Sequence, residues 1–152
     1  MQRIASLYDR LTAFLSGRIF ESLALLVVRL GFAGIFWRSG RSKIEEGSWF
    51  DISDSTCFLF EHEYSGVPLL APDIAAPLAT AAEHVFPALL VAGLATRFSA
   101  LSLLIMTLVI QFFVYPDAWW TVHILWVGLA AVLISRGAGL FSLDALLAKM
   151  RG

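Results

Sequence analysis

The stretch IFESLALLVVRLGFAGIFW, from Ile19 to Trp37, is nearly all apolar, with Glu21 at its start and Arg29 near its centre. A helix rises 1.5 Å per residue, so about 20 residues cross a ~30 Å hydrocarbon core. The segment has that length. A mid-membrane arginine costs roughly 2.5–3.5 kcal/mol on insertion scales. Eleven Leu, Ile, Val or Phe residues lie between Ile19 and Phe36, each contributing about −0.3 to −0.6 kcal/mol, and together they outweigh that cost. The stretch therefore reads as a transmembrane helix whose arginine needs a partner once a bundle forms.

Three further segments repeat the pattern: Ile74–Leu94, Phe98–Tyr115 and Ala118–Ile134. They explain a composition that is 59% hydrophobic and only 15% charged over 152 residues, where a soluble domain carries about 25% charge. The expected fold is all-α: a polytopic membrane protein forming a four-transmembrane-helix bundle. Four spans leave no length for a separate soluble domain, so residues 1–152 are read as one membrane domain. The net charge of −1 and the lack of a basic stripe argue against a nucleic-acid partner. A single cysteine, Cys57, precludes an internal disulfide or a dithiol relay within this chain. Met1–Gly17 has neither a continuous apolar core nor a small-residue cleavage site, so the first span is expected to act as its own insertion signal.

Positive charge orients the bundle. Arg3, Arg10 and Arg18 precede span one, Arg97 lies between spans two and three, and Arg136, Lys149 and Arg151 follow span four. The loop 38–73 holds three basic and seven acidic residues. Both termini are expected in the cytoplasm of a bacterial inner membrane, with the long loop outside. Trp37, Trp49, Tyr115, Trp119 and Trp120 fall at the outer boundary, as an aromatic belt requires. Ile4, Leu7, Tyr8, Leu11, Phe14 and Leu15 describe an amphipathic N-terminal helix, lying on headgroups or packed on the bundle's end. A loop helix capped near Ser53 or Ser55 should run through Cys57, Phe58, Leu59, Phe60 and Tyr64 and end by Gly66 and Pro68. Ser142 should cap a short final helix from Leu143 to Lys149.

The polar residues inside the spans are the candidate site. Glu83 sits at a depth comparable to Arg29, so an Arg29–Glu83 pair would relieve both charges. Pro87 removes the helix bond to the Glu83 carbonyl, which predicts a kink beside the carboxylate. Gln111 and His123 lie toward the outer ends of spans three and four and, with Glu83, are expected to line a cavity open to the outside. His84 points about 100° away from Glu83, so one of the two serves helix packing. Interhelical polar bonds often hold membrane helices together at about 0.6 kcal/mol each, and that bland role competes at every position. His62, with Cys57 or Asp54, is a weak metal candidate, because no recognised ligand spacing supports it and a solvated loop explains it as well.

These residues resemble a known family. Arg29-Leu30-Gly31, then Phe36, Ser39-Gly40 and Lys43, is similar to the first-helix signature of DoxX-type membrane proteins. Glu83, Pro87, Gly93-Leu94-Ala95-Thr96-Arg97 and Ala100 resemble the second, and Arg136-Gly137-Ala138-Gly139 with Ser142-Leu143-Asp144 the usual tail. The resemblance runs from Leu23 to Leu147 and marks Arg29, Lys43, Glu83 and Arg97 as recurring polar positions. It implies subunits of quinone-linked sulfur oxidation, thiol or oxidative-stress complexes, or members of operons making copper-responsive modified peptides. Leu59–Tyr64 with Val67-Pro68-Leu69-Leu70, and Phe112–Asp117, are most similar to this last group.

Three functions are thus open. The first is a non-enzymatic component acting with partner proteins in copper or oxidative-stress handling, consistent with the lack of a self-contained catalytic motif. The second is a quinone-binding subunit of a thiol or sulfur oxidoreductase complex, its cavity bounded by Arg29, Glu83, Gln111 and His123. The third is a small-solute transporter, for which a homo-oligomer would supply the missing helices.

Overall fold

The computed structural model describes residues 2–68 and 71–151, with side chains from residue 4 onward. Leu69, Leu70 and the Arg3 side chain therefore lie outside the described residues. The helices are α1 (Gln2–Leu15), α2 (Arg18–Arg41), α3 (Asp54–His62), α4 (Pro72–Ala92), α5 (Thr96–Phe113), α6 (Ile124–Arg136) and α7 (Leu143–Arg151). Between α5 and α6 come a 3-10 turn at Pro116–Ala118 and a π-helical turn at Trp119–His123. Four segments are long and apolar enough to cross a membrane: α2, α4, α5 and Pro116–Arg136. The expected four-helix membrane bundle is what folds.

Packing pairs α2 with α4 and α5 with α6, with α4 against α5 closing the bundle. The core is built from Leu25, Phe32, Ala33 and Phe36 of α2, Leu90 of α4, Ala100 and Leu103 of α5, and Ala130 and Leu133 of α6. Each helix turns only this stripe inward. Outward residues such as Val27, Leu78, Ile105 and Leu125 are more than half exposed, as lipid-facing side chains must be. Without a hydrophobic drive between helices in lipid, close approach relies on small residues. Gly40 shows this: a Cβ there would sit 2.8 Å from the His84 ring and 3.1 Å from the Glu83 Cβ.

The connections follow their local chemistry. Ser53 caps α3 by accepting the Thr56 amide, and Phe60 of α3 is buried against the bundle. Gly93, at φ 66°, ends α4 in the left-handed conformation that glycine adopts without strain. Ser142 Oγ accepts from Ala145 N at 3.1 Å, starting α7 where expected. Helix α4 continues through Pro77 and Pro87. The α1 side chains from Ile4 to Leu15 are exposed, which favours the headgroup placement of the two expected over packing on the end of the bundle.

The lone thiol reports the orientation, since Cys57 is exposed on α3. A membrane-impermeant maleimide added to intact spheroplasts should label Cys57. A cysteine at position 150, in a Cys57→Ser background, should react only after permeabilisation. The opposite pattern would invert the proposed topology.

Candidate functional site

Most of the buried polar groups gather in three clusters, and the expected Arg29–Glu83 pair is not among them. Glu83, on the inward face of α4, bonds instead to Lys43, just beyond the end of α2. Lys43 Nζ donates to Glu83 Oε2 at 2.7 Å and to Oε1 at 3.0 Å. It also donates to Ser39 Oγ at 2.8 Å, and Ser39 Oγ donates to Glu83 Oε1 at 3.3 Å. The lysine and glutamate side chains are only 9% and 3% exposed. Ser39 and Lys43 stand four apart, one above the other, so both reach the same carboxylate. Lys43 also holds α3 in place: its carbonyl accepts from Thr56 Oγ1 at 3.0 Å and from Ser53 N at 3.1 Å.

Glu83 and Lys43 form the polar head of a cavity of about 550 Å³. Ala75, Leu78, Ala79, Ala82 and Phe86 of α4 form one wall, and Ile105, Met106, Val109 and Ile110 of α5 the other. Phe60 and Tyr64, with Val67 and Pro68, cover it from the α3 side. Leu78 and Ile105 are more than half exposed, so the cavity opens sideways onto the face that lipid covers. Tyr64 stacks on Phe60, centroids 4.5 Å apart, and its hydroxyl has no hydrogen-bond partner among the described residues. Burial, then the neighbouring Tyr115, Glu83 and Glu63, push that hydroxyl above its ordinary pKa, so it remains a neutral donor. Tyr115 in turn donates to Glu63, tying the end of α3 to the end of α5.

Gln111 and His123 form a second cluster, apart from that cavity's lining. Gln111 Nε2 donates to the Pro116 carbonyl at 2.7 Å, leaving its Oε1 to accept from His123 Nδ1 at 2.7 Å. The π-helical turn brings His123 inward, where its ring packs 5.1 Å from Trp126. Neither side chain borders the cavity, so their joint role is to tie α5 to the start of the last span. His84 likewise packs rather than lines: its Nδ1 bonds Thr80 O at 2.7 Å and its ring meets Trp37 edge-on.

Arg29 belongs to a third cluster, at the opposite end of the bundle. Cβ bonds on a helix tilt toward its N-terminus, and a long side chain extends the reach. The guanidinium therefore lies at Gly93, ten residues or about 15 Å along α4 from Glu83. Its Nη2 donates to the Phe141 carbonyl at 2.7 Å. Leu140 N bonds Ser22 Oγ at 3.0 Å, and Asp144 accepts from the Ala95 and Thr96 amides at 2.8 and 2.9 Å. Arg29 is thus a clamp that docks the segment after α6 onto α2 and α4. Burial alone would raise the Asp144 pKa, but the Thr96 and Ala95 hydrogen bonds and the Arg29 charge together hold it below the usual value. Arg97 joins this end by donating to the Ser135 carbonyl at 3.2 Å.

The weak metal candidates stay apart. His62 stacks on Phe58 and bonds its carbonyl at 2.9 Å, and Cys57 is exposed. Among the described residues no three His, Cys, Asp or Glu side chains converge.

Comparison with known proteins now bears on these positions. The model of the DoxX family matches residues 24–116, more than half of the chain and the segment that carries Arg29, Lys43 and Glu83. The chain belongs to the DoxX family. A protein of Haemophilus influenzae described only as uncharacterized is 34% identical over 138 residues, which cover 86% of this chain and 87% of that one. No solved structure matches. Of the residues in this DoxX protein's clusters, Lys43 was a sequence candidate although it lies in the outer loop, whereas Ser39, Tyr64 and Asp144 were marked by sequence only as motif or helix residues. The i, i+4 spacing of Ser39 and Lys43 was the one available signal for the first of these.

Lys43→Met leaves a buried carboxylate unpaired and should cost about 3–5 kcal/mol, read by unfolding in detergent. The Lys43→Met/Glu83→Gln double variant should recover most of that loss. At the other end, Gly93→Ala should destabilise by about 1–3 kcal/mol, because its Cβ would lie 2.0 Å from Arg29 Nη1 at a positive φ. The Asp144 contribution should persist above its unfolded pKa of about 3.8 and fade as pH drops through the lower folded value. Asp144→Asn should flatten that acid limb.

Proposed function

We propose that this DoxX protein is a membrane subunit that binds a quinone drawn from the bilayer, working with a partner that supplies the remaining redox chemistry. The observation that carries this reading is a cavity between α4 and α5 with apolar walls and a charged, hydrogen-bonded head. Ligand sites are of this kind: about 300–1,000 Å³, mostly apolar, with a few placed polar groups. The lateral opening beside Leu78 and Ile105 suits a ligand whose tail stays in lipid. The head is Lys43–Glu83 with Ser39, and the wall hydroxyl is that of Tyr64. This set replaces the Arg29, Gln111 and His123 boundary expected from sequence. A resident quinone would supply electron and proton acceptance. The chain's own residues would hold the ring between α4 and α5, with the Tyr64 hydroxyl donating to a ring oxygen.

Copper and oxidative-stress handling with partner proteins rests on the family resemblance alone, as does transport by a homo-oligomer. They therefore come second and third.

The test is binding. Wild-type protein in nanodiscs should retain a decyl-substituted benzoquinone or its quinol after washing. Ala79→Trp and Ala82→Trp, which fill the cavity, should reduce retention at least about tenfold while the protein stays monodisperse and helical. Retention of neither form by the wild type, or full retention by both filled variants, would sink the reading.

A further inference from the structure

The geometry points to a head that selects the reduced, hydroxyl-bearing form of its ligand, a quinol, over the quinone, an inference that rests on the quinone-binding reading above. An ammonium has three N–H protons. Lys43 Nζ meets Glu83 Oε2, Glu83 Oε1 and Ser39 Oγ at 2.7, 3.0 and 2.8 Å, with the Ser39 carbonyl also at 3.4 Å. Every lysine proton is engaged. Ser39 Oγ spends its own proton on Glu83 Oε1. The head therefore offers an incoming molecule no donor.

It does offer an acceptor. A carboxylate has about four lone-pair positions, and the two Lys43 bonds and the Ser39 bond fill three of them. Glu83 lines the cavity, so the remaining position is what a ligand meets. A quinone oxygen there would set lone pair against lone pair. A quinol hydroxyl would donate to a carboxylate, a charge-assisted bond of the stronger kind.

Tyr64 lines the same cavity from the α3 side. Its hydroxyl is a donor without a partner among the described residues, and its ring is fixed by stacking on Phe60. Quinone and quinol oxygens both accept from it, so Tyr64 contributes affinity without discrimination. Only a hydroxyl, which donates and accepts, satisfies both Glu83 and Tyr64. Sites built to bond a hydroxyl reject analogues lacking it more strongly than apolar pockets reject a change of shape.

Three probes separate the possibilities, each equilibrated anaerobically with the wild-type protein in nanodiscs: decyl-benzoquinone, its quinol, and the quinol's bis-methyl ether. The quinol should bind about ten- to a hundredfold tighter than either of the others, the factor expected of one hydrogen bond to a charged group. Binding of none of the three overturns the quinone-binding reading itself. Binding of the quinone or the bis-ether as tightly as the quinol leaves that reading standing and overturns the selectivity. Glu83→Gln frees a Lys43 proton for a carbonyl and should shrink the preference to within about threefold. Tyr64→Phe should weaken quinone and quinol alike and keep their ratio. A Glu83→Gln protein that retains the full preference would overturn the assignment of Glu83 as acceptor. Should that variant fail to fold, the three wild-type affinities decide alone.

Discussion

Where an ion pair stands in this bundle is set by what each charge would cost alone. A carboxylate buried on an apolar helix face is tolerable only with a cation and further donors around it. Lys43 and Ser39 provide both, reaching Glu83 from the end of α2, where Gly40 lets the helices come close. The same lysine holds α3 through its carbonyl. Neutralising Glu83 and covering the cavity are therefore parts of one arrangement, and neither α3 nor the head can shift without disturbing the other.

The two ends of the bundle use charge differently. At the end nearer α3, charge faces a cavity, and the surrounding walls leave room beside the ion pair. At the other end, Arg29 and Asp144 are spent on backbone groups: the Phe141 carbonyl, and the Ala95 and Thr96 amides at the start of α5. Those amides belong to the first turn of a helix, which has no intrahelical acceptors and favours an anion. Asp144 supplies one from a segment distant in sequence, and Arg29 fastens that segment from the other side. The Gln111–His123 pair is a third and smaller fastening, made where the π-helical turn re-aims a histidine inward.

This division gives the cavity its chemical character. Its walls are apolar because they continue the lipid-facing surfaces of α4 and α5. Its head is polar yet electrically balanced, so it does not demand a charged ligand. What distinguishes one neutral ligand from another is then the direction of the hydrogen bonds left open. The open acceptor on Glu83 and the open donor on Tyr64 set that direction.

Much of the architecture was readable from one dimension. Span length and hydropathy decided the four crossings, because a bilayer's thickness dictates how many apolar residues a helix needs. Ser53 and Ser142 marked helix starts, since caps are local events. Sequence also identified Glu83 and Arg29 as polar residues demanding partners, while Lys43 was marked only by the family resemblance. It did not decide which partner each takes. Helical depth counted along Cα atoms put Arg29 and Glu83 level, but side-chain tilt carries the guanidinium toward the other end of α4. Pairing of Glu83 with Lys43, isolation of the Gln111–His123 bond from the cavity, and placement of Tyr64 in the cavity lining were settled only by packing. Each depends on how close two helices come and which faces meet, and no spacing along a single chain encodes that distance.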